Sequence, residues 1–560
     1  MTPSPLDRPT GRRTPRTAGA LAALAALCVL PAPAAVAAPA APAAPAVPGA
    51  LAAPAPGAPA VPAAAPASPA VPSTPGETGA EARLAALRGR PEALRRFFAA
   101  LPKGGELHNH LSGAVTTEYL IELAAEDGLC VELATGKAVR PPCGPGTRAA
   151  ADARTDPELR TMLLRAWSME DFPAGQSGHD HFFDTFDKFG EVTASHRGKM
   201  LASVADGIAR QNQFYLETMV TPASDASKKL ASQVGWDADL AKLHDKLVAG
   251  GKLDRVVDQA VQEADESDAE FRRESACGTD RQRPGCGLTI RWISQVSRGS
   301  SRERVFTQMA TAMRLEERDP RFVAVNLVQP EDWDSSLENY SLQMRMLKYL
   351  KSVYPKAHIT LHSGELWPGL VKPEHLTFHI RDAVDVAGAQ RIGHGVDLVH
   401  ETGWQRLTGT MAQREIAVEV PFTSNAQILG VKGDDHAFVR YRERGVPVVL
   451  ATDDPGVSRI DITHEYQYAA ETYRLGYRDL KDMARASLEY AFLPGTSLWQ
   501  GNPTRDGYRQ ARACRSEDPG NAYPGKACKR LLDGSAKARL QWDQEAAFVA
   551  FEKWAATGRR

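Results

Sequence analysis

Val446-Pro447-Val448-Val449-Leu450-Ala451-Thr452-Asp453-Asp454 is an apolar run that stops on two adjacent acids. Its length and aliphatic content suit a buried strand, and two carboxyls at the end of such a strand cost free energy unless a cation or hydrogen bonds compensate them. A solvated turn is the plain alternative. Outward from this stretch the same grammar recurs, with short apolar or β-branched runs at residues 105–109, 213–219, 288–295, 323–328, 358–363, 391–395 and 417–420. Between them lie longer segments with apolar residues at i, i+3, i+4 spacing, among them residues 302–315, 337–353 and 437–444. Eight strands alternating with helices predict an α/β protein, a closed (β/α)8 TIM-like barrel, in which reactive side chains stand at the C-terminal ends of different strands. The stretch between the first two strands is longer than one crossover helix requires. Extra helices inserted after the first strand, over residues 120–189, are therefore expected above the barrel mouth.

Several strand ends carry groups that can ligate a metal or move a proton. In His108-Asn109-His110 the period of two puts both imidazoles on one side of a strand. In His362-Ser363-Gly364-Glu365 a carboxyl follows a histidine, with Gly364 permitting close backbone approach. His394 is flanked by Gly393 and Gly395, which leaves room beside the imidazole. Each signal has an ordinary reading, a satisfied core histidine or a solvated turn. Their joint occurrence at successive strand ends is far more specific than any one of them.

Composition fits a soluble chain with a small partner. The 560 residues are 43% hydrophobic and 24% charged with a formal net charge of -1, which gives no basis for a nucleic-acid binder. At the N-terminus Arg8, Arg12, Arg13 and Arg16 precede an apolar run over residues 18–30 and then small residues over 35–38, the pattern of an export signal. That run is shorter than the ~20 residues of a membrane span. Leu27 before Cys28 argues against a lipid anchor. The expected division is a signal peptide over residues 1–38, an Ala/Pro-rich linker over 39–76 and a catalytic barrel over 77–560, with the mature protein secreted and free of the membrane. Beyond the leader the cysteines fall into near-neighbour pairs, Cys130 with Cys143, Cys277 with Cys286 and Cys514 with Cys528. Export permits disulfides, and no C-x2-C zinc signature competes with that reading.

These motifs together resemble the adenosine deaminase branch of the metal-dependent amidohydrolases. The matching segments are Glu106-Leu107-His108-Asn109-His110-Leu111-Ser112-Gly113-Ala114, Leu361-His362-Ser363-Gly364-Glu365, Arg391-Ile392-Gly393-His394-Gly395, Val420-Pro421-Phe422-Thr423-Ser424-Asn425 and Thr452-Asp453-Asp454-Pro455-Gly456. The resemblance spans about residues 84–500 and implies the barrel, one zinc ion per chain and hydrolytic removal of an amino group from a purine. It implies His108, His110, His362 and Asp453 as metal ligands, a set whose nitrogen and oxygen donors suit zinc, with iron or manganese as alternatives. His394 then resembles the base that orients the water, Asp454 a second hydrogen-bonding group that reaches purine N7, and Glu365 the acid that protonates N1 as water adds at C6.

Two positions depart from the family pattern. Ser112 stands where nucleoside-specific members carry aspartate and adenine-acting members tend to carry glutamate, and Gln329 stands where a glycine usually approaches the purine. Either the register there shifts by one residue or recognition differs locally. Ser112, Gln329 and Asp454 are the expected substrate-binding residues, with adenosine and 2′-deoxyadenosine as substrates and loose sugar discrimination. The alternatives are a relative acting on adenine, a modified nucleoside or AMP, and a non-catalytic extracellular purine-binding protein. A cytidine-type zinc deaminase lacks support because its P-C-x-x-C signature is absent. Phe182, Phe186 and Phe189 have the spacing of a helix packed on the barrel, a reading compatible with a lid over the purine. Glu217 reads either as a pocket acid or as a structural partner.

Overall fold

The computed structural model describes residues 73–173 and 175–557. The expected signal peptide and nearly all of the Ala/Pro-rich linker lie outside these residues. The described chain opens with the helix Pro75–Leu87, whose Thr74 side chain and Glu77 carboxylate form a reciprocal cap. The first helix thus begins two residues before the boundary that composition suggests, because a capping box sets a helix start more sharply than an Ala/Pro bias ends.

Eight parallel strands make the barrel: β1 Gly104–Glu106, β2 Gln213–Val220, β3 Thr289–Ser297, β4 Phe322–Val328, β5 Thr360–Ser363, β6 Arg391–His394, β7 Ala417–Val420 and β8 Val448–Leu450. They form two ladders of four, β1-β2-β3-β4 and β5-β6-β7-β8. Single-residue parallel bridges close both gaps, Val325 with Ile359 on one side and Asn109 with Asp453 on the other. At the second seam the Asp453 N–H donates to His108 O at 2.9 Å and the His110 N–H donates to Asp453 O at 3.0 Å. Every strand expected from the apolar runs is present, and so are the helices Arg302–Arg318, Asp334–Val353 and Phe438–Glu443.

The long insertion after β1 contains the expected helices Thr117–Glu126, Pro157–Ala166 and Gly178–Thr193. It also contains a three-stranded antiparallel sheet of Cys130–Glu132, Ala138–Val139 and Thr147–Ala149. Strands this short carry too few residues to show a period in sequence. All three expected disulfides are formed, with Cα separations of 5.4, 5.5 and 4.5 Å in chain order. After the barrel, Leu498, Trp499, Leu532 and Trp542 pack around Cys514 and Cys528. The helix Ala536–Thr557 runs against Pro75–Leu87. No helix among the described residues is long and apolar enough to cross a membrane.

The barrel floor is held by a buried ionic cluster. Arg391, 1% exposed, donates to Glu217 and Glu419 and to the carbonyls of Leu107 and Tyr490. The remaining Glu217 oxygen accepts from the Tyr215 hydroxyl at 2.8 Å and the Phe492 N–H at 2.7 Å. Glu217 is accordingly a structural partner; its lone pairs are used by the fold.

Candidate active site

Side chains at and just beyond the C-terminal ends of β1, β5 and β8 meet at the mouth. His108 Nε2 lies 3.1 Å from His362 Nε2, and His110 Nε2 lies 3.2 Å from the same atom. Asp453 Oδ1 is 3.3 Å from His108 Nε2 and 3.2 Å from His110 Nε2. Donors at about 2.0–2.1 Å from one zinc ion stand roughly 3.0–3.4 Å from each other, which is this spacing.

Hydrogen-bond polarity supports a cation independently of distance. His108 Nδ1 faces Glu419 Oε2 at 2.6 Å, His362 Nδ1 faces Asn326 Oδ1 at 3.0 Å and His110 Nδ1 faces Gln295 Oε1 at 2.7 Å. The Asn326 oxygen is fixed as an acceptor because the His362 backbone N–H also donates to it, at 3.0 Å. In neutral rings the Nδ1 atoms therefore carry the protons and the Nε2 atoms are bare. Neutral, the three rings and the carboxylate oxygen converge as four lone pairs, a donor set that fits a metal ion; against the cost of burial, Asp453 and Glu419 push the His108 imidazole up to about 10, so a proton competes with such an ion for the cage. Asp453 Oδ1 is buried without a hydrogen-bond partner among the described residues, an acceptor left over for a cation.

Around the cage stand the groups expected to move protons. His394 is fully buried, its Nε2 has no hydrogen-bond partner and lies 3.8 Å from Asp453 Oδ2, and its Nδ1 meets the Asn425 amide at 2.8 Å. Burial drives this imidazole down to about 4, so it is neutral near pH 7. Glu365 lies 3.6 Å from His394 Nδ1, and burial, then the charges of Asp453 and Glu331, push its carboxyl well above the usual range. Asp454 is raised to about 8, chiefly by burial, and its Oδ1 is also unpartnered. Asp453 is held well below the usual range despite burial, by the His108 and His110 imidazoles beside it.

Local backbone follows from these demands. His394 and Asp453 have φ of +67° and +59°, a left-handed conformation that costs of order 1–3 kcal/mol in non-glycine residues and clusters at functional sites. Gly113 is required beside Asp454, since a Cβ there would stand 1.8 Å from Asp454 Oδ1. Gly393 makes room for the His108 ring, whose Cε1 would lie 2.5 Å from an added Cβ.

Ser112 sits half-buried two residues past His110. It helps line a cavity of about 820 Å³ together with Thr221 and Gln295. Gln329 is placed differently: it keeps a glycine-like φ of +80°, but its side chain is exposed and accepts from the Gly299 N–H at 3.0 Å. That side chain is not gathered with the cage, and the backbone retains the glycine's shape. The aromatic segment forms the helix Gly178–Thr193 with Phe182 and Phe189 buried. His179 Nε2 at the start of this helix meets Asp332 at 3.0 Å, beside the loop after β4.

Sequence reasoning did not single out the residues that orient this site. Gln295, Asn326 and Glu419 support the three imidazoles, the Ser424 hydroxyl donates to Asp453 Oδ2 at 2.7 Å, and Asn425 links His394 to His436. Glu331 accepts from the N–H groups of Gly364 and Glu365 at 3.2 and 3.0 Å, shaping the loop that carries the acid. A usable signal existed: Asn326 and Glu419 are polar residues inside runs that are otherwise apolar.

Residues 169–498, more than half of the chain, match the family model described as adenosine deaminase. The chain belongs to the adenosine deaminase family. His362, Glu365, His394, Asp453 and Asp454 fall inside the matched stretch, whereas His108, His110 and Ser112 precede it. Among curated relatives, the adenosine deaminase of Salmonella heidelberg is 39% identical over 137 residues, 24% of this chain and 38% of that protein. That of Vibrio cholerae is 34% identical over 151 residues, 27% of this chain and 42% of that protein. The chain thus matches less than half the length of these relatives. Among solved structures, the N6-methyl-AMP deaminase of Arabidopsis thaliana is 22% identical with a TM-score of 0.47, covering 71% of this chain and 94% of that one.

Proposed function

We propose that this chain is a secreted, zinc-dependent purine nucleoside deaminase that converts adenosine or 2′-deoxyadenosine and water to inosine or 2′-deoxyinosine and ammonia. The observation that carries the reading is the convergence of three imidazole nitrogens and Asp453 Oδ1 beside the buried His394 imidazole and the buried Glu365 carboxyl, which burial pushes well above the usual range. Family membership supports deamination, and the disulfides together with the leader sequence support export.

His108, His110, His362 and Asp453 would hold the metal. Bound there, zinc supplies Lewis acidity that makes water nucleophilic near neutral pH. His394 orients that water from the Asp453 Oδ2 side and takes up its proton as the oxygen adds to C6. Glu365 donates a proton to N1, which draws electron density from C6 at the moment of addition. Asp454, protonated near neutrality, donates a hydrogen bond to N7. Collapse to the C6 carbonyl then breaks the C6–N bond: the proton held by His394 passes to the departing amine, the proton of the new C6 hydroxyl restores the Glu365 carboxyl, and ammonia leaves. Burial does the electrostatic work here: it keeps Glu365 and Asp454 as donors and His394 as an acceptor, all at one pH.

The sugar side rests on Ser112 and the cavity behind it, which give a nucleoside space beyond the base that free adenine would not fill. The test is ultraviolet absorbance loss by zinc-loaded full-length protein with adenosine, 2′-deoxyadenosine, adenine, AMP and cytidine. Turnover of the two nucleosides is expected. A zinc-loaded protein that converts none of the five overturns the reading, and preferred turnover of adenine or AMP transfers it to the related substrate.

A further inference from the structure

The three supports of the imidazole cage are unequal. Glu419, behind His108, is charged and locked by Arg391 and by the Thr360 hydroxyl at 2.9 Å. Asn326, behind His362, is fixed because its oxygen takes both the ring and the backbone N–H of that residue. Gln295, behind His110, is neutral, and among the described residues its side chain is held, apart from the imidazole, by the Thr221 hydroxyl alone, 3.1 Å from Gln295 Nε2. The ring it supports is also the least confined: the His110 side chain is 12% exposed, whereas that of His108 is fully buried. Gln295 and Thr221 both line the cavity next to Ser112, so this support lies at the wall of the open mouth and not in the packed core. Packing fixes His108; a single hydrogen bond has to fix His110.

We infer that Gln295, oriented by Thr221, is the positioning residue that holds His110 with its proton on Nδ1 and its Nε2 lone pair turned into the cage. The inference rests on the reading of the cage as a metal site. With Gln295 Oε1 removed, the His110 ring loses its acceptor, is free to take its proton on Nε2, and then hydrogen-bonds to Asp453 Oδ1 in place of a metal. Outer partners of metal-bound histidines typically change metal affinity by about 10–100-fold when removed.

The experiment measures zinc affinity of the full-length protein by chelator competition, with the visible spectrum of the cobalt-substituted protein as a second readout. Gln295→Leu should weaken zinc binding about 10–100-fold and alter the cobalt spectrum, with the melting temperature of the metal-free protein unchanged. Gln295→Glu, which keeps an acceptor toward His110, should restore affinity to within a few-fold of wild type. Thr221→Val should give a smaller loss than Gln295→Leu. Wild-type affinity and spectrum in Gln295→Leu, or loss in Gln295→Glu equal to that in Gln295→Leu, overturns the inference. Failure of the functional reading looks different: wild-type protein that binds zinc tightly and deaminates nothing leaves the role of Gln295 standing.

Discussion

Two polar clusters are buried in the same barrel, one at the mouth and one at the floor, and they differ in how completely their atoms are used. At the floor, Arg391, Glu217 and Glu419 leave no side-chain nitrogen or oxygen without a partner among the described residues. At the mouth, Asp453 Oδ1, Asp454 Oδ1 and His394 Nε2 are all buried and unpartnered. Desolvating a polar atom without a partner costs about 1–3 kcal/mol. A fold retains several such atoms together where something else binds them. The saturated cluster serves the barrel and, through Glu419, backs His108; the unsaturated one is the group that could hold a metal ion.

The sharpest way to break this contrast is to exchange the expected phenotypes. Asp453→Ala should abolish both zinc retention and turnover while the metal-free protein keeps its denaturant midpoint; an active variant, or one that is unfolded, would erase the distinction. Glu365→Gln should retain zinc and lose turnover by about 10²–10⁴-fold, because an amide cannot deliver the N1 proton. Loss of zinc in that variant would make Glu365 a ligand. Arg391→Met should lower stability by about 3–5 kcal/mol through two stranded carboxylates, as read by equilibrium denaturation, and its effect on zinc should come only through Glu419 behind His108.

The floor also carries a pH signature that the mouth does not require. Lys103 is fully buried, donates to the carbonyls of Leu101 and Gln211, and is driven by desolvation down to about 7. Its unfolded value is near 10.5, so between about 7 and 10.5 the unfolded chain binds the extra proton and stability rises with pH. Lys103→Met should flatten that slope in denaturation curves; an unchanged slope removes Lys103 from the account. The smallest effect belongs to Ser112. Ser112→Ala should cost no more than about 1.5 kcal/mol in kcat/KM, with adenosine and 2′-deoxyadenosine within about tenfold of each other. A dead variant with zinc intact would show that this hydroxyl reads the sugar strictly.

The sequence made the barrel and the cage legible for the same reason. An apolar run has to be a strand if it is short, and a histidine or acid at its end has nowhere to go but the mouth, so His108, His362, His394 and Asp453 announce themselves. What surrounds them is quieter: Asn326 and Glu419 stand out as polar residues in apolar runs without saying which imidazole they support, and Gln295 within its strand reads alike whether it supports an imidazole or faces solvent. Only pairing across β1, β3, β4 and β5 gives those amides a role. Gln329 shows the complementary limit: the letter departs from the family pattern, yet its backbone keeps the glycine's φ and its side chain turns away to Gly299. The antiparallel sheet of the insertion was illegible because its strands are two or three residues long.

The closure of the ring has a mechanical consequence. The seam between β1 and β8 is a single bridge, and its hydrogen bonds run through the backbones of His108, His110 and Asp453 themselves. The cage takes His108 and His110 from one half-barrel and His362 and Asp453 from the other. A metal ion in the cage is therefore a clasp between two halves, and its binding free energy is spent on keeping the ring shut. Chelation should loosen the seam before anything else, with faster hydrogen exchange at the amides of His110 and Asp453 while the floor around Arg391 stays protected.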